Sequence, residues 1–215
     1  MQQLTLTKSP PPGWSHLSAE DRALFERLPA DYREFLERNN GGFVEPGSPS
    51  HFSIAIERRS GSTITSISEQ NQIEEFFAVI RSDTEYTRQH GEVPASLFHE
   101  HWNRHSEEEF LPFDVVVIAS CDQSCLLACS LNPEDYGSIY YWEWYWYYPW
   151  FSKFFNDRIE AAQRQYPDIQ AILNDSTNPL YREAFNASNY ATLVKVADSF
   201  SGLIHSLKPE DVADA

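Results

Sequence analysis

The chain has 215 residues, of which 41% are hydrophobic and 22% are charged, and these values are typical of one folded domain, with or without a large insertion. It carries 32 Asp and Glu residues against 16 Lys and Arg residues, so its formal net charge is −16. Nucleic acids and anionic membranes bind cationic surfaces, so this charge argues against both and favours a basic partner. A negative net charge can also simply increase solubility, so composition leaves open whether the charge serves a basic partner or solubility alone.

The sequence predicts a cytoplasmic protein. The segment from Met1 to Thr7 is too short and too polar for a signal peptide. No apolar run reaches the roughly 18 residues that a membrane span requires. The three cysteines are odd in number, which indicates reduced thiols rather than a disulfide framework.

The N-terminal region predicts an extended leader followed by a helix. Residues 1–17 form the leader, because the Pro10–Gly13 segment disfavours both a helix and a central strand. Ser18 is a favourable N-cap and Asp21 follows it three residues later, so we expect the first helix to begin near Ala19.

A second helix is predicted to begin at Pro29, which fits the first turn of a helix. Tyr32, Phe35 and Leu36 then recur at helical spacing. The sequence Asn39-Asn40-Gly41-Gly42 predicts the end of this helix, since Asn and Gly accept the left-handed backbone conformation found there.

The middle of the chain predicts a hairpin and a third helix. Short strands are expected over His51–Glu57 and Ser62–Ser66, with a turn over Arg58–Gly61. A helix is expected over Glu69–Arg81, because Ile73, Phe76, Phe77 and Ile80 lie on one side of it.

The second half predicts consecutive strands and then helices. Strands are expected over Phe113–Ala119, Cys125–Leu131 and Ser138 to about Tyr147, with turns at Ser120–Ser124 and Asn132–Gly137. Helices are expected over Phe151–Tyr166, Ile169–Leu173 and Tyr190–Leu207, followed by an acidic tail at 209–215. Helices at both ends of a strand meander predict an α+β fold with an antiparallel sheet.

The segment from Leu28 to Gly42 resembles the signature helix of the SUKH superfamily, which groups fungal cell-wall regulators with bacterial immunity proteins. The matching residues are Leu28, Pro29, Tyr32, Phe35, Leu36, Asn40, Gly41 and Gly42. Further matches follow in the family's order at Leu111-Pro112-Phe113, Asp122, Gly137, Trp142 and Ser199-Phe200. Cys121–Ser124 departs from the family, which usually has a glycine-rich turn at this place.

The resemblance implies a single SUKH-like domain over residues 1–215. It would contain N-terminal helices, a central antiparallel sheet meander and C-terminal helices. A helical insertion at about 148–192, which departs from the family pattern, would precede the last helix. The matched residues are expected to be structural, because a periodic apolar helix face ordinarily points at the core.

The resemblance also implies a binding protein rather than an enzyme. We expect an immunity protein, or antitoxin, that neutralises a cognate secreted or contact-delivered toxin, such as a nuclease. The alternative is a regulatory or scaffolding domain of the same fold that binds an endogenous partner. The oligomeric state is not predicted.

An aromatic run over residues 140–151 is the most unusual feature of the sequence. As a strand, it would place Tyr140, Trp142, Trp144, Trp146 and Tyr148 on one face and Ile139, Tyr141, Glu143, Tyr145 and Tyr147 on the other. One face must be core. The other either binds a partner or is covered by the insertion. The candidate anchors are Trp144, Tyr145, Tyr147 and Trp150.

Several carboxylates are candidates for an acidic docking surface that steers a basic toxin. They are Glu107, Glu108, Glu109, Asp114, Asp122, Asp135 and Glu143. The alternative for the Glu107–Glu109 run is an ordinary solvated surface.

The histidines and cysteines do not predict a metal centre or a catalytic site. His99, His101 and His105 lack the spacing of a zinc protease. Cys121, Cys125 and Cys129 are each four residues apart, unlike a zinc knuckle or an iron–sulfur motif, and are expected to be core residues. No nucleophile elbow, phosphate-binding loop or dinucleotide fingerprint occurs. We therefore expect no metal, no cofactor and no enzymatic activity.

Overall fold

A computed structural model describes residues 3–9, 11–60, 63–79, 94–104, 111–122, 125–142, 156–190 and 192–209. The helices in these ranges are α1 (Ala19–Arg27), α2 (Ala30–Asn39), α3 (Leu97–Arg104), α4 (Asn156–Gln165), α5 (Ile169–Leu173), α6 (Tyr181–Tyr190) and α7 (Phe200–Ser206). The strands are β1 (Gly42–Phe43), β2 (His51–Ser60), β3 (Thr63–Phe76), β4 (Val115–Cys121), β5 (Cys125–Ser130), β6 (Ile139–Trp142) and β7 (Val194–Ala197).

Helix α1 begins where the sequence predicts, because Ser18 and Asp21 form a reciprocal cap. The Asp21 backbone N–H donates to Ser18 Oγ at 3.0 Å, and the Ser18 backbone N–H donates to Asp21 Oδ2 at 3.2 Å. These two bonds satisfy donors that a helix N-terminus leaves without intrahelical partners. The leader contributes a 3-10 turn at Trp14–His16 and one bridge, from Leu6 to Val44.

Helix α2 ends at Asn40, which adopts the left-handed conformation with φ of 51°, as predicted. Gly41 follows with φ of 71°, and a β-carbon at this position would lie 2.5 Å from the carbonyl oxygen of Phe76. Glycine is required there because the chain passes directly over the backbone of β3. Asn40 also accepts a hydrogen bond from the Val79 backbone N–H at 2.8 Å, which ties the helix end to the segment after β3.

The sheet has the order β1-β3-β4-β5-β6-β7, with β2 paired to β3, and all of these ladders are antiparallel. Strands β4 and β5 lie in its middle and are buried along nearly their whole length. Helices α2 and α7 pack on the same core through Leu36 and Phe200. The predicted α+β fold with an antiparallel sheet is confirmed.

The helix predicted over Glu69–Arg81 is wrong, because residues up to Phe76 belong to β3. The register against β4 shifts between Ile73 and Glu75, so this strand contains a β-bulge. The bulge allows Ile73 and Phe76 both to be buried although they are three residues apart, a spacing that otherwise indicates a helix. The preceding hairpin exists, but its strands include the Arg58–Ser60 segment that was predicted as a turn.

The helix predicted over Tyr190–Leu207 is also wrong. Helix α6 ends at Tyr190, and β7 then pairs with β6, with Val194 opposite Tyr141. The β-branched Val194 and Val196 favour the strand. Helix α7 starts afresh, because Ser199 Oγ accepts a hydrogen bond from the Gly202 N–H at 3.0 Å.

Within residues 156–190, the part between β6 and β7 that the structure describes, helices α4 to α6 form a small cluster of their own. Its buried members are Ala162, Ile169, Ile172 and Ala184, and they are separate from the main core. Helix α5 has the predicted bounds. The described part of the helix predicted over Phe151–Tyr166 is α4, and the described part of the strand predicted from Ser138 is β6.

Candidate partner-binding surface

Asp114 lies immediately before β4 and anchors α6 to the sheet. Its Oδ1 accepts a hydrogen bond from Arg182 at 2.9 Å, and its Oδ2 accepts one from the Asn186 side-chain amide at 2.6 Å. The Asn186 side-chain oxygen in turn accepts a hydrogen bond from the Phe113 N–H at 2.7 Å. Phe185 of the same helix packs on Phe113, with ring centroids 4.8 Å apart.

Asp135 lies in the turn between β5 and β6, and its carboxylate accepts two short hydrogen bonds. Ser130 Oγ and Tyr140 Oη each donate to it at 2.5 Å. Tyr190, the last residue of α6, places its hydroxyl 3.0 Å from Ser130 Oγ and 3.3 Å from the Asp114 carbonyl oxygen. The two predicted docking aspartates therefore belong to one hydrogen-bond network that includes the end of α6.

Tyr190 acts in this network as a neutral hydroxyl. Burial, together with the charges of Asp135 and Asp114, raises its pKa to about 12, although its hydrogen bond to Ser130 acts in the opposite direction. The hydroxyl keeps its proton at neutral pH and remains a donor.

Asp122 lies far from the other two aspartates. It follows the last residue of β4, whereas Asp114 precedes the first, so the length of the strand separates them by roughly 25 Å. The three described carboxylates therefore do not form one patch.

The remaining predicted docking residues lie outside the described residues. They are Glu107, Glu108, Glu109, Glu143, Trp144, Tyr145, Tyr147 and Trp150. Of the aromatic run, β6 contains Tyr140, Tyr141 and Trp142, and the last two are buried. The proposed anchors stay predictions.

The signature residues of α2 build the core, as expected for a structural motif. The ring of Phe200 in α7 lies 4.8 Å from Tyr32, 4.9 Å from Phe35 and 5.8 Å from Phe76, measured between centroids. Leu36 is fully buried. Burial also raises the pKa of Tyr32 well above its usual value, so this hydroxyl is a neutral core group.

The remaining signature residues also have structural roles, in burial, in close backbone contacts and in helix capping. Leu28 and Pro29 are buried at the junction of α1 and α2. Gly42 has φ of 140°, and a β-carbon there would lie 2.8 Å from the Thr7 carbonyl oxygen. Trp142 is buried at the end of β6, opposite Leu126. Ser199 caps α7.

The three cysteines are free thiols in the core, as predicted. Cys121 and Cys125 lie opposite each other in the register of the β4–β5 hairpin, and Cys129 lies further along β5. Burial raises the pKa of the Cys121 and Cys129 thiols, which disfavours a reactive thiolate. In the part of the chain that the structure describes, no group of His, Cys, Asp and Glu residues is placed to hold a metal ion.

Two exposed aromatic residues that the sequence did not indicate, Trp102 of α3 and Tyr136 of the β5–β6 turn, each contact one end of α1. They are 47% and 51% exposed. The indole of Trp102 donates a hydrogen bond to Asp21 at 2.8 Å, and the hydroxyl of Tyr136 donates one to the Arg27 carbonyl oxygen at 2.7 Å. Both contacts are distant in sequence, so no local pattern could have indicated them.

Among the described helices, none is long and apolar enough to cross a bilayer.

The helices and the bulged antiparallel sheet define an α+β protein in which helix α2 packs into the core and a polar network holds α6 against the sheet. A family model for the SMI1 / KNR4 family (SUKH-1) matches residues 22–157. The chain belongs to this family. The match includes Leu28 to Gly42 and Trp142 but ends before Ser199 and Phe200. Comparisons with curated proteins and with solved structures gave no match.

Proposed function

We propose that this protein is an immunity protein that binds and neutralises a cognate bacterial toxin, a nuclease delivered by secretion or by contact. Family membership supports this proposal, because SUKH proteins act in toxin immunity or in SMI1/KNR4-type regulation and are generally non-enzymatic. Within the family, the net charge of −16 favours immunity against a nuclease. A nuclease binds phosphates through cationic groups, and a carboxylate-rich protein can occupy the same groups.

Neutralisation would be stoichiometric rather than catalytic. The acidic surface attracts the basic active region of the toxin and raises the association rate, and aromatic anchors slow dissociation. We assign the first role to Glu107–Glu109, Asp122 and Glu143, and the second to Trp144, Tyr145, Tyr147 and Trp150. To Asp114 and Asp135 we assign the positioning of α6 instead, since their carboxylates already accept hydrogen bonds within the protein.

The protein would act in the cytoplasm, where a delivered nuclease meets its substrate. It would need no cofactor, because masking an active site requires only a complementary surface.

Co-expression with the toxin encoded by the neighbouring gene tests the proposal. We expect this protein to restore the growth of cells that express the toxin, and the purified pair to form a complex whose association rate falls steeply with added salt. An unrelated nuclease toxin is the control and should remain lethal. Failure of both rescue and complex formation with every toxin-like neighbour would overturn the proposal. A stable complex with an endogenous non-toxin protein, without rescue, would favour the regulatory alternative instead.

A further inference from the structure

We propose that the exposed side of α1, together with Trp102 and Tyr136 at its two ends, is a docking surface for the basic active region of the toxin. We call it the α1 surface. This inference rests on the proposed function for the identity of the partner. It adds a location that the sequence-based candidates do not include.

The first anchor is Trp102 on α3. The ring is 47% exposed, and its indole N–H donates to Asp21 Oδ1 at 2.8 Å. The ring of His101 packs against it at 4.6 Å between centroids. The other carboxylate oxygen of Asp21 caps α1, so one residue fixes both the start of the helix and the orientation of the tryptophan.

The second anchor is Tyr136 in the turn between β5 and β6. It is 51% exposed, and its hydroxyl donates to the Arg27 carbonyl oxygen at 2.7 Å, at the C-terminus of α1. The turn is itself constrained, because Asn132 Oδ1 accepts a hydrogen bond from the Glu134 N–H and Gly137 adopts φ of 86°. The tyrosine is therefore held in place on a rigid support.

Both rings have the properties of binding hot spots. Trp and Tyr are enriched among the residues that dominate interface energies, and a ring that is already oriented loses little conformational entropy on binding. Asp21 and Arg27 are six residues apart, which is about 9 Å along the helix. A standard interface of about 800 Å² per partner is roughly 30 Å across, so one partner can contact both rings.

The charges around the anchors favour a basic partner. Glu20 and Glu26 are exposed on α1, and Glu134 is exposed beside Tyr136. The nearby guanidinium of Arg22 donates to the Trp14 carbonyl oxygen at 3.1 Å, and Arg27 is the other cation of α1. With Asp21 of α1 and Glu100 of α3, these make five carboxylates against three cations, which are Arg22, Arg27 and Arg104 of α3.

Alanine substitution of the anchors tests the α1 surface. We expect Trp102→Ala and Tyr136→Ala each to raise the dissociation constant for the neighbouring-gene toxin at least about tenfold, the loss typical of a hot spot. Leu180→Ala is the matched control, because Leu180 is 44% exposed but lies just before α6. It should change the constant less than about twofold, as expected for a residue outside the interface.

A second measurement uses only the unaltered protein, so it does not depend on how the variants fold. Hydrogen exchange of the α1 amides should slow on toxin binding, while that of the α4 amides should not. If the protein binds the toxin but the anchor variants bind normally, or α1 gains no protection, the α1 surface is overturned. If the unaltered protein neither binds nor neutralises the toxin, the proposed function fails and this inference fails with it.

Discussion

The side-chain amide of Asn186 bridges two adjacent residues immediately before β4. It donates to the Asp114 carboxylate at 2.6 Å and accepts from the Phe113 backbone N–H at 2.7 Å. The contact spans more than 70 residues of sequence and joins α6 to the N-terminal end of the central strand β4. Arg182 adds an ion pair to the same carboxylate, but its side chain is 60% exposed.

We expect Asn186→Ala to lower the free energy of unfolding by about 1–3 kcal/mol, since it leaves the Phe113 N–H without its acceptor in a partly buried position. Arg182→Ala should cost only about 0–1 kcal/mol, because exposed ion pairs contribute little. Urea unfolding gives both values, and hydrogen exchange should report faster opening of α6 in the first variant. An equal or larger loss in Arg182→Ala would contradict the importance given to the amide bridge.

Gly41→Ala and Gly47→Ala compare two glycines with positive φ, 71° and 79° respectively. Alanine at Gly47 meets no atom within 4 Å, so we expect only the conformational cost of about 1–2 kcal/mol. Alanine at Gly41 would also overlap the Phe76 carbonyl oxygen, which adds about 1–3 kcal/mol. Thermal and denaturant unfolding of the two variants measure the difference. Equal losses would show that the chain at Gly41, just after α2, does not pass as closely over the end of β3 as described.

Leu36→Ala removes a fully buried side chain of α2 from the core. We expect a loss of about 2–5 kcal/mol, from lost burial and from the cavity that remains. Glu37→Ala, an exposed neighbour on the same helix, should change the free energy of unfolding by less than about 0.5 kcal/mol. Comparable effects of the two substitutions in denaturant unfolding would refute the structural role of the signature helix.

Glu75 should make stability fall as the pH rises. Its partial burial raises its pKa above the ordinary value for a glutamate. The hydrogen bonds from Ala95 and Ser120 oppose this shift, and the charges of Glu100 and Glu74 add to it. The folded state therefore binds the proton more tightly than the unfolded state, and this contribution to stability is complete at low pH and is lost as the pH rises through the folded-state pKa.

Glu75→Gln should remove this dependence, so the variant should gain stability relative to the unaltered protein between pH 4 and pH 7. Glutamine can still accept the Ala95 N–H hydrogen bond that Glu75 accepts at 3.1 Å. Denaturant unfolding at several pH values measures the trend, and Glu37→Gln corrects for the loss of one exposed negative charge. A constant difference between the unaltered protein and Glu75→Gln across this range would rule out the assigned pKa direction.

Several local features could be predicted from the sequence alone, although the local Ser199 cap that begins α7 was missed. The Ser18 cap, the Asn40 helix end and the Asn132–Gly137 turn each follow from residues within a few positions of one another. The signature helix was also predicted, since its apolar spacing is regular. The later part of the strand β3 was predicted as a helix, because its bulge changes the spacing of buried residues from two to three.

The candidate site could be predicted only in part, because its contacts are distant in sequence. The sequence identifies Asp114 and Asp135 as candidate carboxylates. It does not indicate that Asn186 and Tyr140 donate hydrogen bonds to them. Trp102 and Tyr136 gave no local signal for the same reason. Each forms its hydrogen bond with one end of α1, which only the folded chain brings close to it.

The pairing of Tyr141 with Val194 makes β6 and β7 antiparallel neighbours that are joined by residues 143–193. The entropic cost of closing a loop increases only with the logarithm of its length. Two paired strands can therefore be joined by a long segment at only a modest entropic cost above that of a short turn. The segment that carries most of the aromatic run and α4 to α6 can therefore vary in length and sequence while the sheet register stays fixed. Related chains could in this way alter what they recognise without rebuilding the domain that presents it.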